Sequence, residues 1–164
     1  MTTNLQQALD TVELTYSQII EIANEIVNEY TRDANLLIKR AADNTESLNN
    51  DAIRTLMLQL SLKSYTFGDV KEKSAIKAEC AEILRKETYA KKFNGTEGSV
   101  ALRENTATIE TSNEIIAETV YNLVANLFKV KLDEMHRIVD VLKTILMSRL
   151  SEAKLTSSIT EGME

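Results

Sequence analysis

The residues that could carry chemistry are few. His136 is the single histidine and Cys80 the single cysteine in a chain of 164 residues. A lone histidine without further cysteines does not make a common zinc site. Cys80 falls on an apolar line of its helix, which reads as buried small-residue packing. A cysteine–histidine nucleophile would need those two side chains to meet, and nothing in their spacing indicates it. Carboxylates in helical bundles hold paired metals through Glu-x-x-His motifs. Here Asp133 and Glu134 precede His136 at the wrong spacing and no second motif exists. Glu13, Glu21, Glu25, Glu29, Glu110, Glu114 and Glu118 mostly alternate with apolar residues, as on a solvated helix face. The expectation is a protein without catalytic residues, metal or cofactor.

Cations and rings tell a different story. Residues 1–50 carry three basic and eight acidic side chains, residues 51–104 ten and eight, and residues 105–164 six and nine. The middle third is thus the only net-basic stretch of a chain whose net charge is −6. Lys71, Lys73, Lys77, Arg85, Lys86, Lys91, Lys92 and Arg103 cluster there, with Tyr89 and Phe93 among them. Cations that meet phosphates beside rings that stack on bases are the ingredients of single-strand nucleic-acid binding. The same helix carries Glu72, Glu79, Glu82 and Glu87, so the lysines could equally be neutralised in intrahelical pairs. Tyr89 and Phe93, four apart, could equally close a hairpin core.

The elements that position these residues read as helices. The chain has no proline and four glycines, too few turn residues for a sandwich or a loop-rich α/β fold. Helical spacing predicts segments over about 5–41, 50–65, 70–93 and 100–154. A seam of Leu5, Leu9, Val12, Tyr16, Ile19, Ala23, Ile26 and Tyr30 alternates four and three. Ile53, Leu56, Met57 and Leu60 mark the second segment. Ile76, Cys80, Ile83 or Leu84, then Ala90 mark the third. The fourth has Leu102, Ile109, Ile116, Val120, Leu123, Leu127 and Val130, then shifts phase to Met135, Ile138, Leu142 and Ile145.

Breaks are expected at residues 43–50, at Phe67-Gly68-Asp69, and at Asn94-Gly95-Thr96-Glu97-Gly98-Ser99. Asn50 or Asp51, Asp69, and Thr96 or Ser99 are the candidate caps. Asn-Gly would supply left-handed backbone at the last turn. That turn matches no phosphate-loop pattern. A helix of about 55 residues would span roughly 80 Å, too long for a compact monomer. It must bend near Lys131–Glu134, or the protein is elongated and self-associates. The overall expectation is an all-α, heptad-patterned, oligomeric hairpin or bundle: one domain over 1–155 and a flexible tail over 156–164. No apolar run approaches a membrane span and the amino terminus lacks a signal pattern. One cysteine excludes an internal disulfide framework. A cytoplasmic protein without membrane contact is expected.

The stretch Ala52-Ile53-Arg54-Thr55-Leu56, followed by Ile83-Leu84-Arg85-Lys86-Glu87-Thr88-Tyr89-Ala90-Lys91-Lys92-Phe93-Asn94-Gly95 and a long helix, resembles the phage recombination mediators of the UvsY type. The resemblance spans about residues 50–150. It implies a ring-forming helical protein of a phage-infected cell. Such a protein binds single-stranded DNA, loads a recombinase and displaces a single-strand-binding protein. On that reading Lys86, Tyr89, Lys91 and Lys92 are the foremost contact residues. Two other readings compete: a phage structural or assembly protein (virion, neck or scaffold), and a small inhibitor or adaptor acting through the acidic residues 1–50.

Overall fold

In the computed structural model the described residues are 2–44 and 47–161, with side chains described for 15–43 and 47–156. They form four helices and no strand: α1 (Thr2–Asn44), α2 (Asn50–Gly95), α3 (Val100–Glu110) and α4 (Ser112–Glu161). The fold is all-α, as the scarcity of turn residues requires. Helices α1 and α2 are longer than their apolar rhythm suggests, and the breaks fall differently.

Gly68 does not break the second helix. Phe67, beside it, is 1% exposed. Thr66 Oγ1 donates to Leu62 O, and Lys73 donates to Asp69 one turn ahead, both bonds of a continuous helix. A glycine inside a helix costs about 1 kcal/mol relative to alanine. Burying the neighbouring ring offsets that, so Asp69 pairs within α2 instead of capping a new helix. The start of α2 is capped one residue earlier than expected. The Asn49 carboxamide oxygen accepts from Ala52 N at 2.8 Å.

The third break is real but differently built. Gly98 alone among the described residues has positive φ, at 121°. Asn94 and Gly95 stay helical. Ser99 caps α3, its side chain accepting from Leu102 N at 3.3 Å. Chain reversal therefore rests on Gly98-Ser99.

Lys131–Glu134 lies inside continuous helix, where Lys131 donates to Glu134 at 2.7 Å. The interruption comes at Thr111 instead. Its hydroxyl donates to Ala107 O at 3.0 Å and to Thr108 O at 3.1 Å. Its N–H turns to Thr108 O at 3.3 Å, so the regular α ladder lapses for one residue. Hydroxyl bonding back to the preceding turn is a known cause of helix bending. Helix α4 then continues through Glu161, so the expected flexible tail is helical over 156–161.

The described residues group into two compact units. One comprises α1 up to Glu29 with Asp69–Phe128; the other comprises Tyr30–Gly68 with α4 from Lys129 onward. Each contains stretches of α1, α2 and α4. The second unit has a core of large side chains: Ile53, Leu56, Leu60, Phe67, Met135 and Leu142, all at or below 2% exposure. Lys63 on α2 donates to Asp33 on α1 at 2.9 Å, and an Arg149 guanidinium N–H donates to the Leu48 carbonyl.

The first unit is built on small residues: Ala23 and Val27 from α1, Ser74, Ala78 and Ala81 from α2, Ala107 from α3 and Thr111 at its end, then Val120, Val124 and Phe128 from α4. The apolar line expected as the core of the third segment faces outward. Ile76, Ile83 and Leu84 are more than half exposed, and Cys80 is exposed rather than buried. The seams of the other long helices are also partly outside. Tyr16 and Tyr30 are exposed, as are Leu102, Ile109, Ile116 and Val130. Leu5, Leu9 and Val12 lie outside the residues whose side chains are described.

Two outcomes follow from these contacts. Gly98→Ala should destabilise the protein by about 1 kcal/mol or more, seen as a lower melting temperature, because L residues resist this φ. Its Cβ would also stand 2.9 Å from Leu102 Cδ2. Separately, the hydrogen bond from Lys63, and then its charge, hold the Asp33 carboxyl below its usual 3.8. A carboxyl depressed in the folded state adds stability above its unfolded pKa, and that stability is lost as pH falls through the folded value. NMR titration should place the Asp33 midpoint below 3.8, and Lys63→Gln should return it toward 3.8.

Candidate nucleic-acid interface

All nine residues expected to meet nucleic acid belong to the first unit, on α2 and the start of α3. A helix turns 100° per residue, so their spacing distributes them round α2. Lys73, Lys77 and Lys91 share one outward stripe. Lys71, Lys86, Tyr89 and Phe93 share another. Arg85 and Lys92 lie on the side turned toward α3 and α4.

Most of the cations already have partners. Lys71 donates to Glu72 at 2.8 Å, Lys73 to Asp69 at 2.7 Å, and Lys86 pairs with Glu82 at 2.6 Å. The Lys86 hydrogen bond, and then its charge, hold the Glu82 carboxyl below its ordinary value. Two further pairs reach across the hairpin: Arg85 to Glu118 and Lys92 to Glu110, each at 3.0 Å. The Lys77 ammonium sits 5.1 Å from the Tyr121 ring centre. Intrahelical neutralisation by Glu72 and Glu82 was legible in the spacing. Pairing with Glu110 and Glu118 was not weighed, yet it had a signal. Both pairs are centred near residue 101, just past the turn, so antiparallel pairing about it brings them together.

Exposed pairs such as these contribute about 0–1 kcal/mol. Their carboxylates hold the cations weakly, and phosphates can compete for them. Lys91 is different: it is exposed, and among the described residues no ion-pair partner stands against it.

The rings form the more definite feature. Tyr89 and Phe93 stack with ring centres 6.1 Å apart and planes 12° apart. The Arg103 guanidinium carbon lies 4.2 Å from the Phe93 ring centre, and its Nε donates to the Phe93 carbonyl at 2.8 Å. Arg103 thereby ties the last turns of α2 to the first turn of α3. Phe93, outside the expected contact set, sits between these two partners' roles. Tyr89 keeps about a third of its surface exposed.

The residues weighed for catalysis do not assemble. Among the described residues no group of three or more histidine, cysteine or acidic side chains could hold a metal. His136 is exposed on α4 in the second unit and Cys80 is exposed on α2 in the first. The Thr111-Ser112-Asn113-Glu114 run has capping-box spacing, but the Thr111 N–H is directed to Thr108 and Ile109 carbonyls. Glu114 Oε2 is buried without a hydrogen-bond partner. Among the described residues no helix is long and apolar enough to cross a membrane. No family profile, curated protein or solved structure matches the chain.

The role of Arg103 has a direct check. Arg103→Lys keeps the charge but loses both the planar stack and the Nε–H donor. It should lower stability by about 1 kcal/mol in chemical denaturation, and Arg103→Ala should cost no less. Full stability in the lysine variant would show that charge alone is needed.

Proposed function

We propose that this protein is a non-enzymatic, oligomeric helical accessory that binds single-stranded DNA. The observation that carries the reading is the Tyr89–Phe93 ring pair, with Arg103 over Phe93 and Lys86 on the Tyr89 side of α2. A base can extend the ring stack at Tyr89, and base–aromatic stacking is worth about 1–3 kcal/mol per base. Lys91, together with Lys71 and Lys86 once a phosphate displaces their exposed partners Glu72 and Glu82, supplies phosphate contacts within the only net-basic third of the chain. The resemblance to UvsY-type recombination mediators extends the reading to a phage-infected cell. There the protein would load a recombinase against a single-strand-binding protein.

The partly exposed apolar faces favour a second reading. Ile76, Ile83 and Leu84, together with Leu102 and Ile109, are what a structural or assembly component would present to copies or partners. The acidic residues 1–50 are the support for an inhibitor or adaptor.

Fluorescence anisotropy with a labelled single-stranded oligonucleotide separates them. Binding should be tightest at low salt and fall steeply as salt rises, because phosphate contacts release counterions. Lys86→Glu with Tyr89→Ala should weaken it about tenfold or more by losing one phosphate and one stacking contact. No binding at low salt would overturn the DNA-binding reading and leave the assembly one.

A further inference from the structure

The chain contains one Asn-Gly pair, Asn94-Gly95, and the structure places it at the end of α2. Both residues are exposed. A Cβ on Gly95 would meet nothing within 4 Å beyond its chain neighbours and its own helix backbone. Asparagine and glycine are poor helix formers, and a terminal turn of helix opens at little cost in free energy. Two contacts hold this turn closed. Thr96 bonds the Lys92 carbonyl with its N–H at 3.0 Å and with its hydroxyl at 2.7 Å. Arg103 Nε donates to the Phe93 carbonyl at 2.8 Å. Neither contact involves an atom of Asn94 or Gly95.

We propose that Asn94 deamidates through a cyclic imide, which makes Asn94-Gly95 a site of spontaneous covalent modification. The Gly95 backbone nitrogen, its proton taken by hydroxide, bonds to Asn94 Cγ. The Cγ–Nδ2 bond breaks, and the side-chain nitrogen leaves as ammonia with a proton from water. Water then adds to one of the two imide carbonyls and opens the ring. Opening at Cγ gives an aspartyl residue; opening at the main-chain carbonyl gives an isoaspartyl residue. The net change exchanges a side-chain amide and water for a carboxylate and ammonium. Glycine at the second position matters because a Cβ there would crowd the attacking nitrogen and restrict the backbone that must turn.

The closed turn does not react. Helical backbone at Asn94 holds the Gly95 nitrogen away from Cγ and keeps its N–H in the helix ladder. The reaction runs from the opened turn, and the Arg103 and Thr96 contacts set how often that form occurs. The product changes the charge of the tip. Its carboxylate stands three residues after Lys91, on neighbouring positions of the helix surface. Lys91, exposed and without an ion-pair partner among the described residues, thereby gains one. The new charge also sits at the negative end of the α2 dipole, and the isoaspartyl form lengthens the main chain there, so the last turn is weakened. None of this depends on nucleic-acid binding.

Incubation of the full chain for days at mildly alkaline pH and body temperature, then proteolysis and mass spectrometry, tests it. The peptide holding Asn94-Gly95 should gain the mass difference between an amide and an acid, ahead of the peptides holding the other asparagines. It should separate by chromatography into aspartyl and isoaspartyl forms. Gly95→Ala should slow the gain by about tenfold or more. Arg103→Ala should speed it by about threefold or more by freeing the last turn. Thr96→Val, which removes only the hydroxyl bond, should also speed it. Circular dichroism confirms that each variant is helical. No gain at Asn94 in the folded protein overturns the proposal, whether or not the urea-unfolded chain reacts. A gain that ignores Gly95→Ala, or that yields no isoaspartyl form, overturns the imide route. A rate unchanged in both Arg103→Ala and Thr96→Val overturns the control by these two contacts.

Discussion

The contact on which the first unit depends is the close approach of helices over small side chains. Ala23 on α1, Ala78 and Ala81 on α2, and Ala107 on α3 are each 7% exposed or less. Alanine buries little area per residue, but it lets backbones come near and leaves few voids, so packing density can stand in for side-chain size. Once those rows face inward, helical geometry decides the rest. Ile76, Ile83 and Leu84 must turn outward, because they sit on the other side of the same helix. Arg85 and Lys92 are carried to the flank, where Glu118 and Glu110 are within reach.

That orientation sorts the basic cluster into three parts with different physics. Arg85 and Lys92 become cross-hairpin ties. Arg103 becomes a strap at the turn, stacking on Phe93 while its Nε–H satisfies a carbonyl in the last turns of α2. Such carbonyls lack an intrahelical partner at a helix end. Tyr89, and Lys91 on another stripe, are left for solvent or a partner, while Lys86 is paired with Glu82 within α2. A cluster that is continuous along the chain is therefore divided in space, because residues five apart on a helix point about 140° away from each other.

The second unit shows why some of this was readable in advance. Ile53, Leu56 and Leu60 recur at helical spacing and are large, so their burial dominates the energetics and they are indeed inside. Met135 and Leu142, seven apart after the phase shift, are inside for the same reason. In the first unit the apolar residues of α2 are spread round the helix, and size gives no guide to its inner face. Gly68 misled in a related way. Its turn propensity is a local term of about 1 kcal/mol, smaller than what burying Phe67 returns. Thr111 erred in the opposite sense, since a threonine carries no breaker signal until its hydroxyl takes the carbonyls of the preceding turn.

Composition and spacing alone determined that the chain is all-α, that it reverses just before Val100, and that the only net-basic third holds Tyr89 and Phe93. Those follow from terms acting within a few residues: propensity, capping and the counting of charge. Which face of α2 is buried, and which cations pair across the hairpin, were decided only by tertiary packing. Each of these depends on what a second helix brings within a few ångströms, and a pattern along one helix carries no record of its neighbour.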